Sequence, residues 1–304
     1  MSEIEIRTGD ALHELAAISS ETVDLIIADP PYNLGKNYGN NHDVRGFLDY
    51  LSFSESWLRE VHRVLASHGT IYIFMGFRFI SYLYDILDQR LGMYFNSWIT
   101  WHYTQGIGRT RGFSPRHDDI LMFTKSDDFT FNLDAVRVPQ KYFRQRNNMA
   151  GANPGDVWAF SHVHYSNPER EKHPTQKPEA LIARMVSASS DEGGLVVDPF
   201  AGSGTTLRVC QVMNRRCLGI EINPEYVAGV RKRLQKPFEG FDSRDPRMGR
   251  TPKDLPQGWH GQPGVEAVDK QMLLLEPPVK YESSIGTSSG PSRRTRSRKT
   301  GHGT

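Results

Sequence analysis

The sequence predicts an α/β protein, a mostly parallel sheet wound by helices on both faces. Three observations carry that expectation. Short runs are apolar and β-branched with almost no alternation, as in Val23-Asp24-Leu25-Ile26-Ile27-Ala28 and Leu195-Val196-Val197, which is how strands buried on both faces read. Several of these runs end in an acid: Asp29, Asp198 and Glu221. Segments with apolar residues at helical spacing separate them, so strand, helix and strand alternate.

The first strand, Ile4-Glu5-Ile6-Arg7-Thr8, alternates and reaches Gly9-Asp10. Leu12, Leu15 and Ile18 have helical spacing, and Ser19 to Thr22 leads into the run that ends at Asp29. Beyond Asp29 come Pro30, Pro31 and Tyr32, followed by the Asn- and Gly-rich segment 33–41, expected to be a mobile loop. Phe47 to Leu65 is expected to be an amphipathic helix ended by Ser67-His68-Gly69. Thr70 to Met75 reads as a strand, Ile80 to Leu91 as a helix, and Tyr94 to His102 and Asp119 to Thr124 as two further strands. Between those two lies a segment with Arg109, Arg111, Phe113 and Arg116, which suits either contact with phosphates and a base or a solvated turn.

Periodicity is lost from Ser126 to about Ser166, where Arg137, Lys141, Arg144 and Arg146 interleave with Tyr142 and Phe143. Basic residues among aromatics are suited to positioning phosphates and reading bases, and equally to a wet surface. Glu179 to Ser189 is the next helix, with Pro178 before it. The strand ending at Asp198 continues into Pro199-Phe200-Ala201-Gly202-Ser203-Gly204, a glycine turn that lets backbone approach a ligand at a helix start. Cys217 to Glu221 is the last strand, and Tyr226 to Leu234 the closing helix. From Pro237 the composition turns to Arg, Pro, Gly, Asp and Ser, so 237–304 is expected to be a mostly disordered basic tail.

Composition narrows the class. The 304 residues suffice for one large domain and an attachment. No apolar run is long enough to span a bilayer, and the acidic start lacks an apolar leader core, so a cytoplasmic protein without membrane contact is expected. Cys210 and Cys217 have neither Cys-x-x-Cys spacing nor His partners, so they are expected to be reduced core residues, and no metal site is expected. Net charge is +2, yet Arg293, Arg294, Arg296, Arg298 and Lys299 cluster near the end, so the rest of the chain is slightly acidic.

The chemistry concentrates at Asp29-Pro30-Pro31-Tyr32. Two prolines at a strand end stop the ladder and stiffen the loop, so the Asp29 carboxylate and the Pro30 carbonyl can face outward as two preset acceptors. With the flat ring of Tyr32 beside them, they suit a planar group carrying an NH2, such as a nucleobase. Asp198 and Glu221, at successive strand ends with a glycine turn between, describe a nucleoside pocket. The turn lacks Gly-x-Gly-x-x-Gly, which points away from a dinucleotide.

Asp29-Pro30-Pro31-Tyr32, ahead of His173-Pro174-Thr175-Gln176-Lys177-Pro178 and then Asp198-Pro199-Phe200-Ala201-Gly202-Ser203-Gly204-Thr205-Thr206, closely resembles the motif set of the beta group of DNA amino-methyltransferases. The resemblance covers about residues 4 to 235. It implies a doubly wound, mostly parallel, seven-stranded Rossmann-like methyltransferase fold, circularly permuted so that the catalytic half precedes the cofactor half. The strand ending at Asp10 would then lie beside the one ending at Glu221. The methyltransferase domain would be 1–236, with target recognition at 126–166.

The resemblance further implies S-adenosylmethionine as cofactor, with Asp198, Phe200, Gly202 and Gly204 around its methionine part. Thr175 and Lys177 would complete that end, Glu221 would bind the ribose, and Asp10 the adenine amino group. The reaction would methylate adenine N6 or cytosine N4 in double-stranded DNA, with Asp29, Pro30, Pro31 and Tyr32 as the catalytic motif acting on a flipped base. It needs no metal. A homodimer, a cognate restriction endonuclease and association with a bacterial nucleoid belong to the same set of expectations.

Aspartate at the first motif position is more typical of adenine enzymes, whereas many cytosine enzymes have serine there. RNA and protein-glutamine methylases use a similar Pro-Pro-Tyr device but place the glycine turn first. A catalytically inactive sequence-specific DNA-binding protein is a further alternative, and the intact Asp29, Tyr32 and Asp198 argue against it.

Overall fold

The structure, a computed structural model, describes residues 3–33, 45–104, 108–138, 151–164 and 167–241. The expected mobile loop beyond Asn33, the basic residues of 139–150 and the tail from residue 242 lie outside these. The elements in order are β1 Ile4–Thr8, α1 Ala11–Ala16, β2 Val23–Ala28, α2 Phe47–Val64, β3 Leu65–Met75, α3 Ile80–Asp85, β4 Tyr94–His102 and β5 His117–Thr124. They continue with α4 Leu133–Val136, β6 Val157–Ala159, α5 Glu179–Ser189, β7 Leu195–Asp198, α6 Thr205–Val212, β8 Arg216–Glu221 and α7 Pro224–Arg233.

The strands form one sheet in the order β1-β8-β7-β2-β3-β5-β4-β6. β1, β8, β7, β2 and β3 run parallel, and β5 is antiparallel to both β3 and β4. As expected from the permutation, Thr8 pairs with Glu221, and the Gly9 amide donates to the Glu221 carbonyl at 3.1 Å. The sheet has eight strands rather than seven. The extra strand, β6, pairs parallel with β4 through Thr100 and Val157 at the sheet edge. Three residues cannot display a period, which is why this strand was hidden in the aperiodic stretch.

Both faces of the sheet are covered. Ile26 and Ala28 of β2, with Ile71, Ile73 and Met75 of β3, pack against Leu15, Trp57, Leu58, Val61, Ile80 and Leu83 of the helices on one side. Leu25 and Ile27, with Tyr72 and Phe74, face Leu181, Met185, Val186, Leu207 and Val230 on the other. A strand buried on both sides has no polar face to show, and β2 is apolar for that reason. Cys210 and Cys217 are free and buried. Among the described residues no helix is long and apolar enough to cross a membrane, and no cluster of potential ligands could hold a metal ion.

Two local departures from the sequence reading have clear causes. The segment Ser67-His68-Gly69 lies inside β3, where the register shifts between Val23 and Leu25. His68 Nε2 sits 2.7 Å from Asp24 Oδ1, and Asp24 Oδ2 accepts from the Leu195 amide at 2.6 Å, so the one acid in β2 ties the bulge to β7. A Cβ at Gly69 would lie 3.0 Å from the Val23 carbonyl, which leaves room only for glycine. The helix expected over 80–91 is α3 followed by a π-helical turn, Ile86–Arg90.

Candidate active site

The carboxyl ends of β1, β8, β7 and β2 open onto one cavity of about 720 Å³. Open α/β sheets place their ligand sites at this edge. Because β7 lies between β8 and β2, residues far apart in sequence become neighbours here. Asp10, Asp29, Pro30, Pro31, Tyr32, Thr175, Lys177, Asp198, Phe200, Gly202 and Glu221 all line the cavity.

Asp29 follows the last residue of β2. Its Oδ2 accepts from Lys177 Nζ at 2.6 Å, while its Oδ1 is buried and has no hydrogen-bond partner among the described residues. The loop after it is held from below: the Tyr50 hydroxyl, on α2, donates to the Pro31 carbonyl at 2.7 Å. Asn33, with φ of 56°, exchanges two hydrogen bonds with the backbone of Arg45, at 3.0 and 2.6 Å. Sequence reasoning missed both anchors. Tyr50 reads as one more apolar position of an amphipathic helix, and no sequence signal separates it from its neighbours.

At the end of β7, Asp198 accepts from the Phe200 amide at 3.0 Å. Burial pushes its carboxyl up to about 7, against hydrogen bonds from Thr206 and Phe200, and repulsion from Asp29 and Glu221 adds to the rise. Glu221 is also raised by burial, although the Gly202, Ile222 and Asn223 amides favour its ionised form. Its Oε2 accepts from Gly202 at 2.9 Å and its Oε1 from Asn223 at 2.8 Å. The Phe200 ring meets Trp57 edge-on at 5.2 Å, fixing one apolar wall. Asp10 caps α1, with Oδ1 accepting from Leu12 and His13.

The two glycines of the turn differ. Gly202, with φ of 50°, lines the cavity, and a Cβ there would lie 3.0 Å from His173 Nε2. Gly204, with φ of 75°, does not line it; a Cβ there would lie 2.6 Å from Val230 Cγ1, so its small size serves the packing of α7. The turn is stitched to the segment before α5. Arg233 Nη1 donates to the Ser203 carbonyl at 2.9 Å and to Thr205 Oγ1 at 3.1 Å, and Thr205 Oγ1 donates to the Lys177 carbonyl at 3.1 Å. Arg233 Nη2 also bonds Glu179 Oε1 at 2.7 Å, a buried ion pair.

The far wall comes from β4, β5 and the segment after β6. Tyr103, Asp118 and His162 line it, with the Tyr103 hydroxyl 3.4 Å from Asp118 Oδ1 and its ring 3.9 Å from that of His162. Burial and the neighbouring Asp118 push the Tyr103 hydroxyl up. Nothing in their sequence context marked these three.

Residues 23–232 match a family model described as DNA methylase. The chain is 62% identical over 247 residues to the type II methyltransferase M.HpaI of Haemophilus parainfluenzae, covering 81% of this chain and 79% of that protein. It is 40% identical over 244 residues to the DNA adenine methyltransferase YhdJ of Escherichia coli (strain K12), covering 74% and 81%. A solved structure of the M1.HpyAVI–SAM complex is similar with a TM-score of 0.54 at 26% identity, covering 77% of this chain and all of that one. With three motifs facing one cavity and a family match across most of the sheet, the chain belongs to the DNA methylases, S-adenosylmethionine-dependent enzymes that methylate adenine N6 or cytosine N4.

Proposed function

We propose that the protein methylates adenine N6 at a specific site in double-stranded DNA, acting on a base flipped out of the duplex. One observation carries this reading. The buried Asp29 Oδ1 lacks a partner among the described residues, and Asp29 itself lines a cavity large enough for a nucleoside ligand. A buried acceptor left unsatisfied costs roughly 1–3 kcal/mol, so it marks where a donor arrives. An exocyclic NH2 is such a donor. Aspartate at this position and the likeness to a protein named as an adenine methyltransferase favour adenine over cytosine.

The residues fit S-adenosylmethionine. About 720 Å³ lies within the range of ligand pockets, and the site offers carboxylates for amino and hydroxyl groups beside a cradle at Gly202 that a Cβ would fill. Asp198, Phe200, Gly202, Thr175 and the neighbouring turn would hold the methionine end, Glu221 the ribose and Asp10 the adenine amino group. The cofactor supplies an electrophilic methyl group. Asp29 and the Pro30 carbonyl would accept the amine's hydrogens, favouring the pyramidal nitrogen whose lone pair attacks, and Tyr32 would stack on the flipped ring.

Residues 1–236 would form the methyltransferase domain, 126–166 would read the target, and the β4–β5 loop with Arg109, Arg111 and Phe113 would meet the duplex. The enzyme would work as a homodimer at the nucleoid with a restriction endonuclease as functional partner, in line with relatives named as type II methyltransferases.

The test is incubation of the protein and its Asp29→Ala variant with unmethylated genomic DNA and S-adenosylmethionine, followed by nucleoside mass spectrometry. N6-methyladenine from the wild type and none from the variant, which should still bind cofactor, is the expected result. N4-methylcytosine would change the base, and unimpaired transfer by the variant would overturn the role of Asp29.

A further inference from the structure

Lys177 touches the catalytic motif. Its ammonium donates to Asp29 Oδ2 at 2.6 Å, and its side chain is only 9% exposed. The same nitrogen lies 5.0 Å from the centroid of the Phe74 ring and 5.4 Å from that of Tyr32. One carboxylate and two aromatic faces therefore surround the charge, and cations are attracted to such faces. The backbone is fixed too, because the Lys177 carbonyl accepts from Thr205, which Arg233 holds in turn.

We propose that Lys177 is a positioning residue for Asp29: it binds Oδ2 and so presents Oδ1 alone to the incoming amino group. This rests on the proposed reaction and departs from the assignment that resemblance gives the residue, the methionine end of the cofactor. The geometry favours the carboxylate of Asp29. A carboxylate has two oxygens, and tying one of them to a fixed cation removes the rotation that would otherwise let either face the base. Of the three N–H donors on the ammonium, the one that has a partner among the described residues is spent on Asp29 Oδ2.

The experiment uses the full chain with Lys177→Met, Lys177→Arg, Asp29→Asn and the Lys177→Met/Asp29→Asn double variant. Single-turnover methyl transfer at saturating S-adenosylmethionine and the cofactor Kd by calorimetry are measured for each. In Lys177→Met the transfer rate should fall about 10- to 100-fold, as for loss of a charge-assisted hydrogen bond, while Kd changes by less than about threefold. Lys177→Arg should recover part of the rate. In the Asp29→Asn background the methionine substitution should cost less than about twofold further, because the group it positions is gone.

A Kd weakened about tenfold or more with the saturated rate unchanged would overturn the proposal and return Lys177 to the cofactor. So would equal losses in both backgrounds. Thermal melting separates these outcomes from misfolding, and Lys177→Gln carries the same comparison if the methionine variant does not fold. Absence of DNA methylation by the wild type would instead overturn the proposed function.

Discussion

Asp198 lines the cavity at a cost to the ligand-free fold. It sits at the end of a buried strand, and burial with two acidic neighbours pushes its carboxyl from the ordinary 3.8 up to about 7. The folded protein thus holds a proton between roughly pH 4 and 7 that the unfolded chain has released. The stability this group contributes is full below the ordinary carboxylate value and is lost as pH rises through about 7. Asp198→Asn removes the charge but keeps the shape. Without cofactor, the variant should melt several degrees above the wild type at pH 8, with about 4 kcal/mol as the ceiling, and the gap should shrink as the pH falls toward 5. A melting difference that does not change with pH would show that the buried charge is not the cause.

At the scale of elements, the strands feeding the site were legible because burial on both faces leaves only one kind of sequence. β2, β7 and β8 announce themselves, and α5 has the bounds that its apolar spacing predicts. Elements without a period were not legible. β6 has three residues, and the bulge in β3 depends on Asp24 and His68, which meet only after folding. The residue types of the site were readable from their motifs, but their partners were not. Lys177 and Asp29 are 148 positions apart, and only the neighbourhood of β7 and β2 makes them a pair. The loop between β4 and β5 is the element whose sequence left two readings open. Its Phe113 is 98% exposed, and Ser114 Oγ accepts from the Arg109 amide at 2.8 Å, closing the loop near strands that supply Tyr103 and Asp118 to the cavity. An exposed ring beside Arg109 and Arg111 suits a wedge that fills the gap a flipped base leaves. Phe113→Ala should therefore slow methylation of an ordinary duplex about tenfold and leave nearly unchanged the rate on DNA whose target base faces an abasic site. Equal slowing on both substrates would assign Phe113 to general DNA contact.

For the molecule as a whole, permutation explains how a chain can carry Asp29-Pro30-Pro31-Tyr32 before Asp198-Pro199-Phe200-Ala201-Gly202 and still bring both to one cavity. Sheet order, not chain order, decides which strand ends meet, and β7 beside β2 brings Asp198 next to Asp29. The charge of the chain is arranged on the same scale. A net charge of +2 conceals a slightly acidic body and five cations, Arg293, Arg294, Arg296, Arg298 and Lys299, with no acid among them. The acids lining the cavity, Asp10, Asp29, Asp118, Asp198 and Glu221, outnumber its cations, Arg45, Arg170 and Lys177, so the cavity is a weak source of attraction to a polyanion and other parts of the chain are expected to supply more of it. If those five cations supply it, each phosphate they neutralise releases condensed counterions, and affinity falls with salt accordingly. Replacing all five with glutamine in the full chain should weaken binding at low salt and reduce the slope of log affinity against log salt by up to about 4. The modified base and the transfer rate at saturating DNA should stay as in the wild type, since none of the five falls within the three sequence motifs. Titration of a fluorescent duplex from 50 to 200 mM salt, roughly the range where such slopes are steep, measures this directly, and an unchanged slope would place the phosphate contacts in the β4–β5 loop and the 126–166 segment instead.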